Sequence, residues 1–330
     1  MKCFYHGVDP DGWCSKEIVK SMYPNTKDTD FIPVDYTKSI DFSVVRKYEH
    51  VWIVDYSLSN KKDIESIIEL YNTKTKNIFW VDHHQNSVDF DKEHPEIKIS
   101  GIRFVDNKYS AALLVWYFRE KSFDTIAYKD FKYIDMSILN NLIFSLDDVN
   151  NDVDLISKAP LSVKYISDHD NFTYKYSNTG AFNLGIRYWY EKGEYKHLFT
   201  DETYLIDEVI RIGNLLLDNQ NMINERNKCK AFEIYIGNKL CIAMNRQGNS
   251  SIFCELYDMY DAVMPYYFDG ECWTYSLYTN LNRETHLDCG KIATMLGGGG
   301  REGAAGFRSN ELLIKEDLDG NFYLDLQIQY

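Results

Sequence analysis

Three mostly apolar runs near the start of the chain each end in acid or imidazole. Residues 2–5 lead into His6, Asp9 and Asp11, residues 51–54 into Asp55, and residues 77–81 into Asp82, His83 and His84. Carboxylates and imidazoles are the side chains that ligate divalent cations and move protons. Carboxylates gathered within a few Å raise one another's pKa and need a counter-charge, for which a divalent metal ion is the natural choice. Oxygen-rich ligation with one or two imidazoles and no thiolate suits manganese or magnesium better than structural zinc. With this many ligands two ions are expected, and such a pair, about 3.5–4 Å apart, activates a water and stabilises charge on a phosphoryl group. Singly, each motif has a plainer reading; Asp9-x-Asp11, for instance, could simply cap a helix. Three such motifs, each closing an apolar run, exceed what capping explains.

These side chains are dozens of residues apart, so the fold must gather them. The run at 51–54 is short and continuously apolar, the pattern of a strand buried on both faces, and 77–81 is again strand-like. After the first run at 2–5, residues 12–23 carry Trp13, Ile18, Val19 and Met22 at helical spacing, ended by Pro24, and between 51–54 and 77–81 residues 63–71 repeat that spacing through Ile64, Ile67, Ile68 and Tyr71. This alternation predicts a parallel sheet with helical crossovers on its faces. In such a sheet the carboxyl ends of the strands share one edge, and ligands bind in the crevice just outside it. His6, Asp9, Asp11, Asp55, Asp82, His83 and His84 are therefore expected to converge.

Farther along, the aromatic-rich segment 101–121 ends in the buried-helix pattern SAALLVWYF, and the acidic DDVNNDVD at 147–154 reads as a surface loop. Thr200 or Asp201 is placed to cap a long helix running to about Lys230, with Leu205, Val209, Ile212 and Leu216 on one face. Beyond it, FEIYI, LCIAM, AVMPYYF and CWTYSLY read as strands and GKIATML as a helix, followed by a glycine tract. The expected fold class is α/β: an N-terminal parallel-sheet domain over 1–196, a helical connector over 197–230, and a smaller C-terminal mixed α/β domain over 231–330.

At 330 residues and 45% apolar content, the chain can bury two cores of ordinary size. No run approaches the roughly 18–20 apolar residues that span a bilayer, and the first residues lack a secretion signal, so a cytoplasmic protein without a membrane partner is expected. Seven scattered cysteines with no C-x-x-C pair read as reduced thiols, not as a disulfide framework or a zinc ribbon. A net charge of −14 with no basic stripe argues against tracking a long nucleic acid. Any phosphate-bearing substrate is expected to be short, with metal supplying the positive charge.

The motifs H-x-x-D-x-D-G at 6–12, VD at 54–55, DHH at 82–84, SDHDNF at 167–172 and GGGGREGAAGF at 297–307 together resemble the DHH phosphoesterase superfamily. The closest resemblance is to its oligoribonuclease (nanoRNase) branch with the glycine-rich C-terminal domain, and it covers nearly the whole chain in order. It implies that His6, Asp9 and Asp55 hold one manganese ion and that Asp11, Asp55, His83 and Asp168 hold a second, with Asp55 bridging. Asp168 is favoured because the family sets that aspartate four residues before an aromatic, here Phe172; Asp170 is the alternative. Asp82 would orient a neighbouring histidine, and His84 would face the scissile phosphate. The glycine tract lets backbone N–H groups approach an anion closely, which makes Gly298, Gly299, Gly300 and the following Arg301 substrate-binding candidates. Arg301 stands where the family usually has histidine; a guanidinium can still grip a phosphate or stack on a base. Arg283 is a further phosphate candidate, with a solvated surface charge as its plainer reading. Of the remaining histidines, only His169 lies within a motif.

The activity this resemblance implies is metal-dependent hydrolysis of short oligoribonucleotides or linear dinucleotides to mononucleotides, with the substrate lying in the cleft between the domains. Magnesium or another divalent ion could replace manganese, and a homodimer is an admissible assembly. Alternatives within the enzyme class are a 3′-phosphoadenosine 5′-phosphate phosphatase and a cyclic-dinucleotide phosphodiesterase. Outside it stands a nucleotide-sequestering protein in which Arg301 marks lost activity. Retention of ligating side chains at nearly every implied position argues against that reading.

Overall fold

The computed structural model describes residues 1–330 except 59, 107, 126–138, 140–141 and 327–330, with the backbone alone for 123–125. The chain divides into two compact units, Met1–Leu217 and Asp218–Tyr330.

In the first unit, β1 (Lys2–His6) leads to α1 (Pro10–Met22), β2 (Phe31–Val34), β3 (Val51–Val54), α2 (Lys61–Thr73) and β4 (Ile78–Asp82). After these come α3 (Gln85–Glu93), β5 (Ser100–Arg103), α4 (Ala111–Thr125) and β6 (Ile143–Phe144). The six strands form one sheet in the order β2-β1-β3-β4-β5-β6, with every pairing parallel. In register, Phe4 lies opposite Ile53 and Ile53 opposite Trp80, and all three face one core with Ile67 and Leu70 of α2 and Phe90 of α3. Their neighbours Cys3, Tyr5, Trp52, Val54, Phe79 and Val81 face the other core, with Trp13 and Ile18 of α1 and Leu114 and Phe118 of α4. Burial on both faces is why these runs are apolar at nearly every position.

The strand order turns around at β1, with β2 on one side and β3 on the other, which makes the carboxyl ends of β1 and β3 the topological switch point of the sheet. The first helix starts there. The Asp9 side chain accepts the Gly12 N–H at 3.1 Å, and Pro10 occupies the first turn. A Cβ on Gly12 would lie 2.0 Å from the His6 carbonyl oxygen, so only glycine lets the helix begin this close to the strand it has just left.

Helices α5 (Leu146–Asn151), α6 (Val153–Ser157), α7 (Leu161–Asp170), α8 (Thr179–Glu191) and α9 (Thr203–Asn227) follow. Residues 147–154 are thus largely helical rather than a surface loop. Ser145 and Asp148 form a reciprocal capping box at the start of α5, and Val149 is buried, so capping and one apolar anchor outweigh the polar composition. Thr200 accepts the Glu202 N–H just ahead of α9. That helix buries Leu205, Ile206 and Val209, whereas Leu216, expected on the same face, is exposed where packing against this core gives out.

The second unit contains β7 (Phe232–Ile236), β8 (Lys239–Asn245), α10 (Leu256–Met259), β9 (Val263–Phe268), β10 (Trp273–Tyr278) and α11 (Cys289–Met295). Four short strands complete it: β11 (Gly299–Arg301), β12 (Ala304–Ser309), β13 (Ile314–Glu316) and β14 (Phe322–Leu324). They form one mixed sheet, β11-β12-β10-β9-β8-β7-β14-β13, parallel at β8–β9 and β7–β14 and antiparallel elsewhere. Ile234, Met264, Tyr275 and Phe307 form its core with Ala293 of α11. The expected α/β class is therefore observed, with the four expected strands and the helix after them. Among the described residues no helix is long and apolar enough to cross a membrane, and all seven cysteines are free.

Candidate metal centre

The carboxyl ends of β1, β3 and β4 and the C-terminus of α7 bring six ligating side chains to one rim. His6 Nδ1 lies 2.8 Å from Asp9 Oδ2 and 3.5 Å from Asp55 Oδ2. His83 Nε2 lies 3.6 Å from Asp55 Oδ1, 3.4 Å from Asp170 Oδ2 and 3.8 Å from Asp11 Oδ2. Asp55 therefore turns one oxygen toward each histidine, between the His6–Asp9 group and the His83–Asp11–Asp170 group. Its backbone is left-handed, with φ of 54°, directly after β3. An acidic side chain tolerates that conformation better than a branched or bulky one.

Asp11 has a second attachment. Its two oxygens accept the N–H groups of Ala111 and Ala112, each at 2.8 Å, at the start of α4. The orphan donors of that helix end and its dipole hold the carboxylate in place from a hundred residues away in sequence. Asp82 is buried, with one oxygen 2.7 Å from His84 Nδ1.

The electrostatics are those of a site built for positive charge. Burial and the neighbouring Asp11 raise the pKa of Asp55 far above the carboxylate range, and burial likewise raises Asp11. Burial and Asp11 push Asp170 up to about 7. Burial opposes protonation of His6, but its bonds to Asp55 and Asp9 prevail and push it up to about 10. His83 is raised as well, burial being outweighed by Asp11 and Asp170. Asp55 Oδ2 is buried and lacks a well-formed hydrogen bond among the described residues, its polar neighbour being His6 Nδ1 at 3.5 Å. Four carboxylates, two imidazoles and no thiolate fit a hard divalent cation, and Asp55 Oδ2, held only loosely by His6, is free to serve as a ligand atom.

Two implied residues sit differently. Asp168 does not reach the rim. Its carboxylate accepts from Thr173 Oγ1 at 2.5 Å, from the N–H groups of Lys175 and Tyr176 at 2.8 and 3.1 Å, and from Thr179 Oγ1. Asp170, the alternative, stands with His83 and Asp11. Arg283 is already engaged, donating to the Asp258 carbonyl at 2.7 Å and pairing with Asp261 at 3.4 Å.

The glycine tract has a structural explanation alongside the functional one. Gly297, with φ of 78°, ends α11. A Cβ on Gly298 would meet the Gly306 carbonyl oxygen at 2.1 Å, and one on Gly300 would meet Ala305 Cα at 2.4 Å. Gly299 faces open space, and Arg301 is exposed, without a salt bridge among the described residues.

Several residues near the rim carried no sequence signal. The Tyr36 ring lies 5.6 Å from that of His6 and stacks on Tyr56. Arg187 lies over the Trp13 ring at 5.5 Å, and its Nη1 is 3.4 Å from the Val8 carbonyl. Its charge reaches both Asp9 and His169.

No family model and no curated protein matches the chain. Among solved structures, it is similar to an uncharacterized protein from Helicobacter pylori G27, with 15% identity over 94% of this chain and 93% of that one and a TM-score of 0.39. It is also similar to a pGpG-specific phosphodiesterase, PggH, from Vibrio cholerae, with 14% identity over 93% of each chain and a TM-score of 0.48. CDC45 from Entamoeba histolytica shares 10% identity over 94% of this chain and 92% of that one, with a TM-score of 0.38. At these values the likenesses carry no argument about activity, and the fold rests on the strand order and register given above.

Proposed function

We propose that the protein is a divalent-metal-dependent phosphoesterase that hydrolyses short oligoribonucleotides or linear dinucleotides to mononucleotides. The observation that carries this reading is Asp55, held between two histidine–carboxylate groups at the switch point with one oxygen turned to each. His6, Asp9 and Asp55 would hold one ion, and Asp11, Asp55, His83 and Asp170 a second, manganese being the ion best suited to this donor set. When bound, such ions supply positive charge against phosphoryl oxygens and acidify the attacking water.

The chain's own residues do the rest. Asp82 holds the Nδ1–H of His84, which fixes the ring and leaves Nε2 to protonate the leaving oxygen. Arg187 offers a cation beside Asp9, and the exposed Arg301 of the second unit is proposed to contact a substrate phosphate. The net charge of −14 favours a short substrate, and the free thiols suit a reducing cytoplasm.

Purified protein incubated with manganese and two- to five-nucleotide RNAs should release mononucleotides, and Asp55→Asn should abolish the release. Hydrolysis confined to 3′-phosphoadenosine 5′-phosphate or a cyclic dinucleotide would overturn the substrate assignment. Tight binding without turnover would overturn the enzymatic reading.

A further inference from the structure

The loop after α7 holds two aromatic rings in an unusual way. Phe172 and Tyr174 have left-handed backbones, with φ of 54° and 45°, and are 74% and 51% exposed. Bulky residues rarely adopt that conformation, and neither ring belongs to a hydrophobic cluster among the described residues. The loop is nevertheless tightly specified. The buried carboxylate of Asp168 gathers Thr173, Lys175, Tyr176 and Thr179, while the N–H groups of Phe172 and Thr173 close onto the His169 and Asp168 carbonyls at 3.0 and 3.1 Å. A buried charge is thus used to shape a loop that presents two rings to solvent.

Their position gives the arrangement a use. The His169 ring touches both, with centroids 6.3 Å from Phe172 and 5.8 Å from Tyr174, and His169 directly precedes Asp170 of the rim. Arg187, which forms no salt bridge among the described residues, places a cation at the same edge and suits a phosphate next to a base.

We infer that Phe172 and Tyr174, backed by His169, form a stacking shelf for a nucleobase beside the metal centre, so that the first unit itself recognises a base. This inference rests on the proposed nucleotide substrate. Stacking on aromatic rings accepts any base, so the shelf selects for the presence of a base and hardly for its identity. Asp168 is then a positioning residue, acting on substrate only through the loop it shapes.

The test compares adenosine monophosphate with ribose 5-phosphate, its base-free counterpart, by calorimetric titration of the full chain with manganese. Wild type should prefer the nucleotide by about tenfold or more. Phe172→Ala, Tyr174→Ala and the double variant should lose most of that preference with ribose 5-phosphate affinity unchanged, whereas Tyr174→Phe and Phe172→Tyr should keep it. No preference in wild type, a preference that survives the double variant, or equal losses for both ligands would overturn the shelf. RNA hydrolysis by the same preparations separates the two readings. Hydrolysis with an undiminished preference in the double variant sinks the shelf alone, and a ring-dependent preference without hydrolysis sinks the hydrolase alone.

Discussion

The Nδ1 atom of His84 lies 2.7 Å from a carboxylate oxygen of Asp82, a residue with no exposed surface. Burial alone would raise the pKa of Asp82, but its bond to His84 and the charges of His84 and His83 hold it low, and Asp82 in turn raises His84 against that residue's own burial. If His84 delivers a proton to the leaving group, Asp82→Asn removes the charge that keeps the imidazole protonated. The expected outcome is a 10- to 100-fold fall in kcat and an alkaline limb of the pH–kcat profile displaced to lower pH. An unshifted limb would count against the assignment.

Asp168→Ala should act on stability rather than on metal binding. It leaves two hydroxyls and two backbone N–H groups without their acceptor, at a cost of about 2–4 kcal/mol in urea unfolding. Stoichiometric manganese binding should persist. In wild type the carboxyl pKa lies below its usual value because these bonds overcome burial. The stability it contributes is therefore present above its unfolded pKa of about 3.9 and is lost as pH falls through the folded value.

The metal-free and metal-loaded proteins should diverge as pH rises. His6, pushed up to about 10, stabilises the metal-free fold fully below its unfolded pKa of about 6.5 and progressively less toward 10. Asp170, pushed up to about 7, carries a stability cost that grows as pH rises from its unfolded pKa of about 3.9 to about 7, an effect of the same sign. Metal binding needs neutral imidazole and ionised carboxylate, and strengthens over the same interval. The Tm difference between manganese-loaded and chelator-treated protein should widen from pH 6 to pH 9, and binding should release protons in calorimetry run in buffers of different ionisation enthalpy. A constant difference would argue against occupation of this rim.

Asp55→Asn tests stored repulsion. The carboxylate, its pKa raised by burial and by Asp11 more than its contact with His6 lowers it, opposes folding in the absence of metal, and asparagine keeps the tolerance for a left-handed backbone. The metal-free variant should melt a few degrees above metal-free wild type, while the stabilisation brought by manganese disappears. Thermal scans with and without manganese decide it.

Gly12→Ala drives a methyl group into the His6 carbonyl, 2.0 Å away. Moving α1 to relieve the clash disturbs Trp13 and Ile18 in the core, so a loss of about 3 kcal/mol or failure to accumulate as soluble protein is expected. Retention of wild-type stability would show that the helix start can shift freely.

Much of the rim was legible because strand ends in a parallel sheet share an edge: His6, Asp55 and His83 close three apolar runs, and the sheet brings those ends together. The choice between Asp168 and Asp170 was not legible. Two positions on a helix point about 200° apart, and spacing to Phe172 favoured the residue that faces the loop. Arg187 and Tyr36 had no signal at all, lying in segments whose composition is ordinary for a surface helix and a loop. Residues 147–154 show a polar stretch turned helical by a capping box, a local pattern that composition hides.

Local patterning in the chain already determined a doubly covered parallel sheet, because burial on both faces demands continuous apolar runs and crossover helices demand amphipathic spacing. It also placed acids and imidazoles at the ends of those runs. Tertiary structure decided which of them meet. The split of Asp55 between two groups, the clamp of Asp11 on α4, and the use of Asp168 for the loop and Asp170 for the rim depend on distances between segments up to a hundred and more residues apart. Such distances are set by packing, which no local pattern encodes.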